Sequence, residues 1–264
     1  MTDEGGQAPA GRLAGRVAIV TGGSRGIGHA IARGYLREGA RVVVTSRHDA
    51  EVRTAAERLA AETGAAVLGF AADVSSEPAV DDMLARTLEA FGAVDILVNN
   101  AGFGFVHPSA TLPTADWQRV LDTNLNGSFY CARAVGQQML RAGRGSIINI
   151  GSLTSFVGFP HRAAYGATKA AVIELTRVLA CEWGAHGVRV NAIAPGWIRS
   201  DFMVKLFASG VLDEAKMVAR TPLGRVGTPE DVVGPAVFLA SDDAAFVTGT
   251  TLTVDGGWLA YGYL

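Results

Sequence analysis

The 264-residue chain is predicted to be an α/β protein, a doubly wound parallel sheet of about seven strands with helices on both faces. Three observations predict it. Apolar, β-branched runs recur along the chain, and they are apolar almost continuously, as parallel strands covered on both faces require. Alanine-rich, charged segments with helical spacing alternate with them. Glycines stand near the ends of these segments, at Gly39, Gly64 and Gly92, where a left-handed cap is favoured.

In chain order, "RVAIVTGG" (16–23), "RVVVTSR" (41–47), "AVLGFAAD" (66–73) and "VDILVNNAG" (94–102) read as the first four strands. "GSIINIGS" (145–152), "VRVNAIAPG" (188–196) and "TLTVDGG" (251–257) read as three more. Helices are expected at "AEVRTAAERLAAETG" and "EPAVDDMLARTLEAFG", and two long ones at about 114–141 and 163–186. A helical excursion at about 200–220 precedes the last helix and strand. Strand–helix–strand repetition implies right-handed crossovers. No linker, repeat or shift in composition divides the chain, so residues 13–264 are expected to form one domain behind a mobile tail over 1–12.

Half the residues are apolar and 18% are charged, which supplies a sizeable core. A net charge of −2 gives no electrostatic argument for nucleic acid or an anionic membrane as partner. The N-terminus has acids, glycine and proline but no apolar signal-like stretch, and no run reaches the eighteen or so residues of a membrane span. A cytoplasmic protein is expected. Cys131 and Cys181 lie in helix-like surroundings without metal-ligand spacing and read as reduced core or near-core residues; no metal is expected.

Ligands of doubly wound sheets bind beyond the carboxyl ends of the strands. The first strand ends in "TGGSRGIG", where Gly22, Gly26 and Gly28 give the spacing G-x-x-x-G-x-G. A tight turn, a close backbone approach and a helix N-terminus suit the pyrophosphate of a dinucleotide, and Ser24, Arg25 and Ile27 share that loop. Tight packing alone also produces glycine-rich turns. The end of the second strand offers Ser46 and Arg47 and no carboxylate before Asp49. With Arg25, this favours NADP(H), whose 2′-phosphate wants cations, with NAD(H) as the alternative. Both arginines being solvated surface residues is the plain structural reading.

"TGGSRGIG" (21–28), "DV" (73–74), "NNAG" (99–102), Asn124, Ser152, "YGATK" (165–169) and "RVNAIAPG" (189–196) together resemble the short-chain dehydrogenase/reductase family in its compact form. The resemblance runs from about residue 13 to 257 and implies a Rossmann-type fold. It implies that Tyr165 is the general acid in carbonyl reduction and the general base in alcohol oxidation, with Lys169 lowering its pKa. Ser152 would hydrogen-bond the substrate oxygen, and Asn124 would hold a relay water through its backbone. Asp73 would bind the adenine amino group beside the Val74 backbone. Asn100, Ala101 and Gly102 would line the adenosine-ribose side; Pro195, Gly196, Ile198 and Ser200 would face the nicotinamide. Ser200 stands where the family usually has threonine, and Asn191 would organise a strand end.

Taken singly, a helical tyrosine packs, a lysine one turn on reaches solvent, a strand-end serine caps a turn, and a mid-helix asparagine sits on a wet face. Together with the glycine loop, the catalytic reading prevails. The substrate pocket is expected from Phe103, Phe105, His107, Leu153, Phe159, His161, Trp197, Phe202, Met203 and Phe207, a largely apolar set suited to a neutral ketone or secondary alcohol. Within the class, a 3-oxoacyl-carrier-protein reductase and a sugar-acid or polyol dehydrogenase remain open; a dinucleotide-binding regulator without catalysis is the alternative of another class. The aromatic end, with Trp258, Tyr261 and Tyr263, reads as a surface tail or as packing at a subunit interface. The resemblance implies a homotetramer or homodimer acting on a small-molecule carbonyl or alcohol.

Overall fold

The computed structural model describes residues 11–208, 210 and 212–262. Most of the expected tail, residues 1–10, lies outside the described residues, as does Tyr263. Arg12 is already fixed, donating to Glu38 through its backbone N–H at 2.9 Å and its guanidinium at 2.7 Å.

Strands β1 (Val17–Thr21), β2 (Arg41–Ser46) and β3 (Val67–Ala71) alternate with helices α1 (Gly26–Arg37), α2 (Asp49–Thr63) and α3 (Glu77–Phe91). Strand β4 (Ile96–Asn99) is followed by α4 (Thr114–Leu121) and α5 (Gly127–Ala142). Then come β5 (Gly145–Ile150), α6 (Ala163–Trp183) and β6 (Val188–Pro195). The excursion contains α7 (Asp201–Ala208) and α8 (Glu214–Ala219), and α9 (Val233–Ala240) leads to β7 (Thr251–Val254). The sheet order is β3-β2-β1-β4-β5-β6-β7, with every pairing parallel. The winding reverses between β1 and β4, which opens a crevice at their carboxyl ends.

Successive side chains of a strand point to opposite faces, and both faces here are buried. In β1, Ala18 and Val20 join a core with Ile31 and Tyr35 of α1 and Ala236 and Val237 of α9. Ile19 joins the opposite core, with Met83 of α3, Val135 of α5 and Leu179 of α6. Gly64 and Gly92 cap α2 and α3 in the left-handed conformation, at φ 67° and 75°.

Each strand ends before its apolar run does. Gly22, Asp73, Asn100 to Gly102, Ser152 and Gly196 all fall in the loops that follow. Small apolar residues extend the hydrophobic signal past the last ladder bond, and only the turn geometry, such as φ 65° at Gly22, marks the stop. The stretch 114–141, expected as one helix, carries a wider turn at Asp122–Asn126, where the Gly127 N–H bonds the carbonyl of Asp122, five residues back. Cys131 is buried as expected, but Cys181 is exposed on α6.

Asn99 and Asn149 stand opposite each other in β4 and β5 and carry a buried polar chain across the sheet. The Asn99 amide donates to Asn149 at 2.9 Å, and the Asn149 amide donates to Thr176 Oγ1 of α6 at 2.9 Å. Asn149→Ala leaves these groups short of partners and should lower the free energy of unfolding by about 1–3 kcal/mol. Urea unfolding measures this directly, and a variant as stable as the parent would remove the chain's structural role.

Candidate active site

A cavity of about 560 Å³ opens at the carboxyl ends of β1, β4, β5 and β6. Its floor is the junction of the loops after β1 and β4. Thr21 Oγ1 accepts the backbone N–H groups of Asn100 and Ala101, both at 3.1 Å, and donates to the Val98 carbonyl at 3.2 Å. The Asn100 amide donates to the carbonyls of Thr21 (2.9 Å) and Gly22 (3.1 Å). A Cβ at Gly28 would stand 2.4 Å from that amide nitrogen, so no side chain fits there. Gly26 is different: its φ is 59°, and the nearest atom to an added Cβ is Ser200 Cβ at 3.9 Å. Gly22 and Gly28 thus serve the turn and its packing, while Gly26 keeps open space over the start of α1. That helix has neither a side-chain cap nor an acid in its first turn, and Gly26 and Ile27 line the cavity.

Ser24, Arg25, Ser46 and Arg47 line one end. Neither arginine has a hydrogen-bond or ion-pair partner among the described residues, though Arg47 lies 5.9 Å from the Phe103 ring centroid. Asp49 is occupied by Arg53 at 2.6 Å. His48 and Glu51, which the sequence reading missed, line this end too. Asp73 reaches the cavity with one oxygen engaged by the Ser75 N–H (3.0 Å) and hydroxyl (2.7 Å), and Val74 lies beside it.

Ser152, Tyr165 and Lys169 meet at the other end. Ser152 begins a tight turn over Leu153–Ser155, and its Oγ accepts the Thr154 N–H at 3.2 Å. Ser155 Oγ accepts the Ser152 N–H (3.3 Å) and donates to the Lys169 carbonyl (2.8 Å), stitching the turn to α6. Lys169 Nζ donates to the Ile150 carbonyl at 2.6 Å and lies 5.7 Å from the Tyr165 ring centroid. Burial pulls the Lys169 ammonium down to about 8. Desolvation raises the Tyr165 hydroxyl above its ordinary value, opposed by the Ser152 hydroxyl and the Arg162 charge. The desolvation of Tyr165 runs opposite to the lowering expected from Lys169, whose ammonium is directed to the Ile150 carbonyl. Gly104 makes room for the ring, since a Cβ there would stand 2.7 Å from Tyr165 Cδ2.

Two anticipated residues stand behind the cavity wall instead of on it. Gly28 is buried under the loop, and Asn124 is fully buried in the wide turn before α5. The Asn124 side chain accepts the Phe103 N–H (3.0 Å) and donates to the Phe103 carbonyl (2.9 Å) and Thr168 Oγ1 (3.2 Å). Its backbone carbonyl accepts the Ser128 hydroxyl at 2.7 Å. Asn191, in the middle of β6, ties that strand to Val247 (2.9 Å) and Thr250 (3.2 Å).

Ala101, Gly102, Pro195, Gly196, Ile198 and Ser200 line the walls, with Phe103, Leu153, Phe159, Trp197 and Met203 of the expected substrate set. Phe105, His107, His161 and Phe207 do not line it, and the Phe202 side chain lies outside what is described. Thr123, Thr154 and Arg162 line it unannounced by any local pattern. Trp258 is 4% exposed and packs on Phe159 (5.5 Å) and Trp197 (6.5 Å between centroids), with the Arg220 guanidinium over its ring at 3.6 Å. It backs this chain's own pocket, a role neither sequence reading of the aromatic end foresaw.

A family model described as enoyl-(acyl carrier protein) reductase matches residues 22–259. The chain is 43% identical over 252 residues to 3β-hydroxysteroid dehydrogenase 1 of Eggerthella lenta, covering 94% of this chain and 95% of that one. It is similar to a solved gluconate 5-dehydrogenase of Burkholderia cenocepacia in complex with NADP and tartrate, at 38% identity and a TM-score of 0.88, covering 95% and 97% of the two chains. A short-chain type dehydrogenase/reductase of Mycobacterium marinum gives 34% identity and a TM-score of 0.88 over 94% and 97%. With these likenesses spanning the fold and the site, the chain belongs to the short-chain dehydrogenase/reductase family and is an oxidoreductase acting on CH–OH and C=O groups.

Proposed function

We propose that the chain exchanges hydride between NADP(H) and a carbonyl or secondary alcohol, with Tyr165 as the acid and base. The observation that carries this reading is the convergence of Ser152, Tyr165 and Lys169 on the cavity that also exposes the glycine loop. The residues present fit a dinucleotide. Gly26 leaves open space over an uncapped helix start, where a pyrophosphate gains from the helix dipole. The Arg25 and Arg47 guanidiniums are free among the described residues to take a 2′-phosphate, and of the two carboxylates on the cavity wall, Glu51 and Asp73, the second is engaged by Ser75. The related gluconate 5-dehydrogenase was solved with NADP.

The nicotinamide supplies or accepts the hydride. Ser152, oriented by its turn, donates a hydrogen bond to the substrate oxygen. Tyr165 gives its proton to that oxygen in reduction and takes it back in oxidation. Desolvation keeps the phenol protonated, as a proton donor needs, and the Ser152 hydroxyl and Arg162 charge limit the cost of the phenolate. Asn124 holds the Phe103 backbone against α6, next to the glycine on which the Tyr165 ring packs. A homodimer or homotetramer is supported by exposed Phe129 on α5 and Val178 on α6.

Tyr165→Phe should lower kcat by at least about 100-fold while leaving the Kd for NADPH nearly unchanged. Turnover that survives this change removes Tyr165 from proton transfer and returns the chain to the non-catalytic reading. Arg47→Asp should move the ratio of kcat/KM for NADPH over NADH toward NADH by about 10-fold or more. An unmoved ratio discards Arg47 as a phosphate ligand.

Lys169 couples the site to stability. Its folded pKa lies near 8, below the ordinary lysine value, so the buried charge opposes folding. That penalty is complete below pH 8 and fades as the pH rises through the unfolded value. Lys169→Met should therefore stabilise the free enzyme at pH 7 by up to about 3 kcal/mol, and this gain should vanish above pH 10 while activity is lost. Denaturant unfolding of both proteins at pH 7 and pH 10 reads the difference; a gain independent of pH would contradict it.

A further inference from the structure

One cation at the reacting end has no partner. Arg162 stands immediately before α6, is half-buried and lines the cavity with Tyr165; its carbonyl accepts the Gly166 N–H at 2.8 Å, yet its guanidinium makes no hydrogen bond or ion pair among the described residues. The first turn of α6 carries no acid to neutralise it. The two carboxylates on the cavity wall, Glu51 and Asp73, come from the segments after β2 and β3, and Asp73 is engaged by Ser75. Beside Ser152, Tyr165 and Lys169, the cavity wall carries the apolar side chains of Leu153, Phe159, Trp197 and Met203. A partly desolvated guanidinium among such walls is costly until an anion pairs with it.

The backbone reinforces this placement. His161 has a φ of 65°, the one positive value of any non-glycine residue among those described. Its carbonyl accepts the His107 N–H at 3.0 Å, which ties the loop after β4 to the loop before α6. A left-handed residue held this way fixes the path by which the chain enters Arg162, a local strain of the kind that collects at binding sites.

Resting on the reaction proposed above, we propose that Arg162 recognises a carboxylate on the substrate. The substrate is then a short oxo acid or the corresponding hydroxy acid, its carboxylate a few bonds from the reacting carbon. A planar guanidinium can hold a carboxylate through two parallel hydrogen bonds, which would fix the substrate's orientation against Ser152 and Tyr165 as well as its affinity. The apolar walls then carry the carbon skeleton between the carboxylate and the carbonyl.

The test pairs each of a series of short oxo acids with its methyl ester, assayed with NADPH. The wild-type enzyme should favour the acid of the best pair by at least about 10-fold in kcat/KM. Arg162→Met should lower kcat/KM for that acid by about 100-fold, mainly through KM, and lower that for the ester far less, by about 10-fold at most. Arg162→Lys should restore part of the loss. A wild-type preference for esters overturns the proposal. So does an equal fall for acid and ester with a shifted pH profile, the signature of an arginine that only tunes Tyr165. Calorimetry separates this site from the reaction itself: the same oxo acids are titrated into NADPH-loaded Tyr165→Phe, and into the variant that also carries Arg162→Met. Binding lost only in the second supports the carboxylate site even if no pair is turned over, an outcome that would sink the reaction alone. Equal binding to both overturns the role of Arg162.

Discussion

The whole site hangs on the seam between β1 and β4. A parallel sheet whose winding reverses there must end two neighbouring strands with nothing between their loops, and the backbone groups at those ends need partners. The Thr21 hydroxyl takes two N–H groups from the β4 loop, and the Asn100 amide returns two bonds to the β1 loop. That exchange draws the loops so close that Gly28 has no room for a side chain. The open space over Gly26 exists because its neighbours are held down in this way.

The same division between committed and uncommitted groups runs through the cavity. Thr21, Asn100, Asn124 and Ser155 spend their polar atoms on the scaffold, each joining two segments that are distant in sequence. The guanidiniums of Arg25, Arg47 and Arg162 make no hydrogen bond or ion pair among the described residues. Desolvation acts on both members of the pair on α6, raising the proton affinity of Tyr165 and lowering that of Lys169, so the site resists charge on either until polar groups are brought to it. Rigid, satisfied supports around groups biased toward neutrality are a preorganised arrangement in which a small change of environment moves a proton.

Seven strands, their order of appearance and the glycine loop were legible because each is a local pattern, and the seven predicted runs match the seven strands in sequence. Strand ends were not, since small residues such as Ala101, Gly102 and Gly151 beside the apolar runs do not register where ladder pairing stops. The turn at Asp122–Asn126 was hidden because helical periodicity barely changes across one wide turn. Ser152, Tyr165 and Lys169 were found through a family pattern, and the structure brings them to one cavity. Arg162 escaped because nothing in "HRAAY" separates a solvated arginine from one facing a pocket. Trp258 escaped for a related reason: its neighbours, Phe159, Trp197 and Arg220, are all far from it in sequence.

Net charge was the least informative summary of all. A chain at −2 looks indifferent to anions, yet its acids are largely spent away from the cavity, as Asp49 on Arg53, Asp231 on Arg225 and Glu38 on Arg12. What remains on the cavity wall is a pair of arginines with Glu51 and Asp73 nearer one end and Arg162 with Lys169 at the other. Fields inside a cleft with low-dielectric walls are set by these few groups and not by the sum over the surface. Two separated cationic ends suit two anionic groups, a phosphate on the cofactor and a carboxylate on the substrate, with the Tyr165 hydroxyl near the second. Anchoring both molecules by charge would bring the carbonyl to Ser152 and Tyr165 with its orientation imposed by groups that take no part in the bond changes.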